Sequence, residues 1–153
     1  IRDRVHYNLA GADQALAQFA ERWSDEALVM DQWFAVQASI PGPASLSRIE
    51  ALMGHPAFDW TVPNRVRALV GTLANGNPSA FHSSDGEGYR LFAAVLTRLD
   101  GINPQIAARL ANAAARLPKL EAGRRGQLAS ALQAVKKQAS DNLSEVLGRI
   151  LAA

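Results

Sequence analysis

The sequence predicts an all-α fold, an irregular α-solenoid of the HEAT or armadillo kind with about eight antiparallel helices, and three observations predict it. Apolar residues recur at helical spacing along almost the whole chain, and no stretch sustains the two-residue alternation of a half-buried strand. Clusters of Pro, Gly and Asn cut that pattern into units of about three turns with short links, as consecutive helical hairpins require. Two Pro-opened helices, at Val62-Pro63 and Asn103-Pro104, start 41 residues apart, within the period of such repeats. A stacked array of this kind has a concave face.

The elements follow in order. Leu16, Phe19, Ala20 and Trp23 make the stripe of a first full helix that ends at Ser24-Asp25. Val29, Trp33, Val36 and Ile40 mark the next, and Leu28, Met30 and Phe34 make it apolar nearly all round, which suits the middle of a pack. Pro41-Gly42-Pro43 stops it. Ile49, Leu52 and Met53 carry a short third helix that ends at Gly54.

The central stretch from His55 to Tyr89 departs from this regularity. HPAFDW forms one sharp turn, and Asn75-Gly76-Asn77-Pro78 forms another. Between them lies a helix with the stripe Val66, Leu69, Val70 and Leu73, opened by Pro63. Ser84 and Glu87 have capping-box spacing before a helix on Phe92, Val95, Leu96 and Leu99. Asn103-Pro104 opens the next, whose stripe is Ile106, Leu110, Ala113, Ala114 and Leu117, ending near Pro118. Leu128, Leu132 and Val135 carry a penultimate helix, and Leu143, Val146, Leu147, Ile150 and Leu151 the last.

Composition narrows the chemistry. At 153 residues, 48% hydrophobic and 20% charged, the chain is long enough to bury one domain's core. It has no cysteine, which removes disulfides, thiolate metal sites and thiol nucleophiles, and suits a reducing compartment. No apolar run approaches the ~20 residues of a membrane span, so the expected location is cytoplasmic, with no membrane partner. The chain opens on Ile1, and IRDRVHYNL reads as a helix interior without a cap. A fragment of a longer polypeptide is therefore expected.

The net charge of +2 is unevenly spread. Residues 1–60 carry −4 and residues 61–153 carry +6, and thirteen of the sixteen basic residues are Arg. Arginine suits fixed, bidentate contacts with carboxylates, although an Arg beside an apolar stripe also lays its stem over the core. Arg65 and Arg67 flank their stripe on opposite sides, and Arg109 and Arg116, seven apart, share an edge of one helix. The basic excess is modest and no aromatic residues are interleaved with it as stacking platforms, so nucleic acid is not expected as a partner.

His6, His55 and His82 lack helical i, i+4 partners and any HExxH pattern, so no metal site is expected. His82-Ser83-Ser84-Asp85 sets the residue types of a hydrolase triad side by side, but triads are assembled from separate segments. A cap at Ser84 and a turn at Asp85-Gly86 explain it better.

HPAF, PNRVRALVGTLANGNPSAFH, DG-EGY and NPQIAARL, with ALVMDQWFAVQA and the final SEVLGRILAA, resemble the C-terminal helical domain of the bacterial aminopeptidase N group within the M1 zinc metallopeptidases. The resemblance covers essentially the whole chain. It implies that residues 1–153 are a single helical-repeat domain excised from a multidomain enzyme. The zinc ligands and catalytic glutamate, from HExxH and a later Glu, would lie on a separate catalytic domain, so this chain would carry no catalytic residue and no metal. Its role would be to wall the active-site cavity and control access. Arg67, from PNRVRAL, and Arg109, from NPQIAARL, would line that cavity and attract the carboxyl end of short peptide substrates. The implied partners are the catalytic domain of the same polypeptide and those peptides. The alternative is a free-standing HEAT-like adaptor that binds a peptide or protein on its concave face.

Overall fold

The computed structural model describes residues 11–153; His6 and the uncapped opening lie outside them. Among the described residues there are nine helical segments and no strand, as the periodicity predicts. They are α1 (Ala12–Trp23), α2 (Ala27–Ala38), α3 (Ser45–Leu52), a composite α4, α5 (Pro78–Phe81), α6 (Glu87–Asp100), α7 (Pro104–Ala111), α8 (Ala122–Lys136) and α9 (Asp141–Ala152). The chain divides into two compact units, one ending at Ala80 and the other running Phe81–Ala153.

In the first unit α2 is the central element, packing on α1, α3 and every part of α4. Its apolar sequence gives that position: Met30, Phe34 and Ala38 are fully buried. The expectation of an apolar helix enclosed all round fails at its first turn, where Leu28 is 77% exposed. Trp33 joins α2 to α1 by donating its indole N–H to the Leu16 carbonyl at 2.9 Å. Composite α4 starts as Pro63–Val66, passes through a π-helical stretch Arg67–Gly71, and resumes as Thr72–Gly76. Its predicted stripe is correct, with Val66, Leu69, Val70 and Leu73 each at most 1% exposed. The π turn within it was not legible from spacing.

Two loops of this unit are tied by polar side chains. Asn77, 2% exposed, donates its Nδ2 to the carbonyls of Ala38 (2.8 Å) and Ile40 (2.7 Å). It thereby satisfies two acceptors where α2 breaks at Pro41. Gly42 then takes φ 97°, which favours glycine, and its N–H donates to Ser79 Oγ at 2.8 Å.

In the second unit α6 packs on α7 and α8, and α9 packs on the same two. Phe92, Leu96, Leu132, Leu143 and Leu147 are fully buried at its centre. Helix α7 departs from its predicted stripe. It ends at Ala111 and gives way to two 3-10 turns, Asn112–Ala114 and Leu117–Lys119. The buried face is Ala107, Ala111, Ala114 and Leu117, one position round from Ile106 and Leu110. Small alanines let neighbouring backbones approach, so the larger residues sit at the edge of the contact.

Among the described residues, three N-cap residues accept helix N–H groups through their own side chains. Asn103 accepts from the Ile106 N–H, Glu121 from those of Gly123 and Arg124, and Ser140 from that of Leu143.

Candidate functional site

The arginines of α4 behave differently from each other. Arg65 is 9% exposed and is the buried cation among the described residues of the first unit. Its Nε lies 2.6 Å from Asp31 Oδ1, its Nη1 donates to the Ala57 carbonyl, and its guanidinium stands 5.5 Å from the Phe34 ring centre. One side chain therefore joins α2, the HPAFDW turn and the start of α4. Sequence reasoning placed Arg65 only at a stripe edge. The missed signal was Asp31, the sole charged residue in ALVMDQWFAVQA. A lone acid in an apolar helix needs a buried partner.

The HPAFDW turn is held from within as well. His55 Nδ1 accepts from the Ala57 N–H at 3.0 Å, which requires that nitrogen to be unprotonated. Its ring packs against Trp33 and Phe34, and burial pushes its pKa below the ordinary value. Phe58 meets Phe34 edge-on at 5.6 Å and Trp60 at 5.2 Å. Asp59 Oδ1 accepts from both the N–H and the hydroxyl of Thr61, which lowers the Asp59 pKa.

Arg67 begins the π stretch and is exposed. Its Nη1 donates to Asn64 Oδ1 at 2.9 Å, and no carboxylate among the described residues pairs with it. Arg109 is also exposed, in the last turn of α7. Arg67 belongs to the first unit and Arg109 to the second. Arg116 does not share an edge with Arg109, because α7 has already ended and Arg116 precedes the second 3-10 turn.

The His82-Ser83-Ser84-Asp85 run resolves into a helix entry. Ser83 Oγ donates to Asp85 Oδ1 at 2.9 Å, and Asp85 Oδ1 accepts from the Glu87 N–H. Ser84 is exposed, so the predicted Ser84/Glu87 capping box is replaced by Ser83 and Asp85. Gly86, at φ 78°, makes the turn. The His82 ring meets neither serine in a hydrogen bond; its Nδ1 lies 2.5 Å from the hydroxyl of Tyr89. Burial first, then Arg124 and Arg116, lower the His82 pKa, and Arg124 Nε donates to the His82 carbonyl at 2.8 Å. This arrangement braces α6 against α8 and offers no nucleophile–base pair.

No group of three or more His, Asp or Glu side chains among the described residues converges as a metal site would need. His55 and His82 lie in different units. A groove lies in each unit among the described residues. That of the first is about 500 Å³ and apolar, bordered by Phe19, Val29, Trp33 and Val36. That of the second is about 700 Å³ and open, between α6 and α8, floored by Ala93, Ala94, Ala131 and Ala134. No helix among the described residues is long and apolar enough to cross a membrane.

The pattern of a family described as a domain of unknown function (DUF3458_C) with ARM repeats matches residues 3–152. The chain belongs to this family. As a DUF3458_C domain it is 44% identical over 135 residues to aminopeptidase N of Haemophilus influenzae, covering 88% of this chain and 15% of that protein. Aminopeptidase N of Escherichia coli is 37% identical over 142 residues, covering 92% of this chain and 16% of its own length. The structure of Legionella pneumophila aminopeptidase A, solved with aspartic acid, superposes with a TM-score of 0.93 at 32% identity, over 99% of this chain and 18% of that one. The DUF3458_C chain thus spans about a sixth of the length of the relatives it matches. The resemblance read from the central residues and the armadillo-type fold class both hold.

Proposed function

We propose that residues 1–153 form one domain, the C-terminal domain of an M1-type zinc aminopeptidase, that walls the active-site cavity and governs entry of short peptides. The observation that supports this reading is long, graded similarity to aminopeptidases N across most of this chain and only 15–16% of theirs. The donors of a zinc site do not fit here, since no such cluster forms among the described residues. Zinc would be held by an HExxH motif on the catalytic domain of the same polypeptide, and no chemical step belongs to this chain. The setting would be cytoplasmic.

Arg67 and Arg109 would line the cavity. Both are exposed, and Arg67 has no carboxylate partner among the described residues. A guanidinium in that state can make charge-assisted hydrogen bonds to the terminal carboxylate of a peptide. Because the groups are solvated, each contact contributes about 1 kcal/mol, roughly fivefold in KM.

The test is steady-state kinetics of the full-length polypeptide with Arg67→Ala and Arg109→Ala. KM for tripeptides should rise about fivefold with kcat unchanged, and the same peptides amidated at the C-terminus should show no rise. Wild-type KM for both variants would refute the role of these arginines, and a full-length protein without bound zinc would refute the parent enzyme.

A further inference from the structure

We propose that Gly71 is a positioning residue for Arg67: its missing side chain is the space through which the Arg67 stem passes. This rests on the reading of Arg67 as a substrate-facing group. Gly71 is buried, yet its backbone is ordinary helix at φ −61° and ψ −38°, a conformation any residue adopts. Neither a turn nor a left-handed backbone explains a glycine here, in a helix interior where glycine is the poorest residue short of proline.

What explains it is contact. A methyl group added at Gly71 would stand 3.2 Å from Arg67 Cγ and 3.8 Å from Arg67 Cβ, and beyond the adjoining residues and the helix backbone it would meet no other atom within 4 Å. The π-helical stretch runs Arg67–Gly71, so it begins at the arginine and ends at the glycine. A π turn closes five residues on rather than four, so positions i+4 and i+5 stand on either side of position i. The widened turn and the absent Cβ together let the Arg67 stem lie back along the helix. Asn64, one turn earlier, then holds the guanidinium through the 2.9 Å bond from Nη1. Glycine behind and asparagine in front fix the direction of an exposed cation that would otherwise sample many rotamers. Pre-set direction lowers the ordering cost of binding and shows in KM.

The experiment compares Arg67→Ala, Gly71→Ala and Asn64→Ala in the full-length polypeptide. Tripeptides with free and with amidated C-termini serve as substrates, and each variant's melting temperature is recorded. Gly71→Ala should raise KM for free-acid peptides severalfold, leave kcat and amidated peptides unchanged, and leave the melting temperature level or higher. Asn64→Ala should shift KM in the same direction by less. If Arg67→Ala raises KM while Gly71→Ala and Asn64→Ala do not, the positioning role is overturned and the reading of Arg67 stands. If Gly71→Ala raises KM equally for both peptide forms, glycine serves packing alone and the proposal fails. If Arg67→Ala itself has no effect, both readings fall.

Discussion

The two units of the chain are held by different means. The first depends on polar side chains that reach across more than thirty residues: Asp31 to Arg65, and Asn77 to the Ala38 and Ile40 carbonyls. The second has polar ties as long, Arg124 to the His82 carbonyl and Ser140 to Asp100, but neither is an ion pair, and its ion pairs among the described residues lie at the surface. The difference is one of tolerance. Losing a cap removes one hydrogen bond near solvent, whereas losing Asp31 strands a buried cation. A unit built around a buried pair is specified more tightly and fails more abruptly.

The largest expected effect breaks that pair. Asp31→Asn leaves Arg65 buried without its counter-charge and should destabilise the first unit by about 3 kcal/mol. The double variant Asp31→Leu/Arg65→Met should recover most of that loss, since a buried pair and an apolar replacement are often equivalent. Urea titration followed by tryptophan fluorescence reads this unit alone, because Trp23, Trp33 and Trp60 all lie in it. Equal losses in single and double variants would mean that Arg65 acts through its contacts with Ala57 and Phe34 instead.

A smaller effect is expected at Ser140. It caps α9, and its N–H and hydroxyl donate to Asp100 at 2.8 and 2.5 Å. Ser140→Ala should cost the second unit about 1 kcal/mol. Hydrogen exchange in α9 would show the loss, and little change would be seen in tryptophan fluorescence.

The smallest is a pH effect in each unit. His55 and His82 are both held below the ordinary value of 6.5. The unfolded chain therefore takes up these protons first as pH falls. Stability present above pH 6.5 declines through that value and levels off below the folded-state pKa. His55→Gln should flatten the decline measured by fluorescence between pH 7.5 and 5.5, and His82→Gln should not. The reverse result would exchange the two assignments.

Most of the secondary structure was legible, because large apolar residues at helical spacing leave little choice. The stripes of α4, α6 and α8 are buried as read, that of α9 is too except for half-buried Leu151, and Pro63 and Asn103-Pro104 open helices as read. Helix α7 was harder because alanine is equally at home inside and outside, so Ala107 and Ala111 gave no sign of being its buried face. The site was less legible still. A bond from Asn77 to a carbonyl 39 residues away has no period, and the Ser83/Asp85 cap differs from a Ser84/Glu87 box by one position. Arg65 and Arg67 looked alike because stripe-edge positions on a regular helix are equivalent. The π turn, which begins between them, was not visible in the pattern.

That turn has a consequence for how the chain can change length. A π stretch holds one residue more than the α-helix it interrupts, so deleting one residue from Arg67–Gly71 would rejoin two α segments without a break. The helix would survive, and because the widened turn absorbs the surplus residue, the segments on either side would keep nearly their present phase. In a regular α-helix the same deletion would swing everything after it by about 100°. Leu73 would stay on the core face, and Asn77 would stay within reach of the Ala38 and Ile40 carbonyls. Relatives one residue shorter here should therefore keep Asn77.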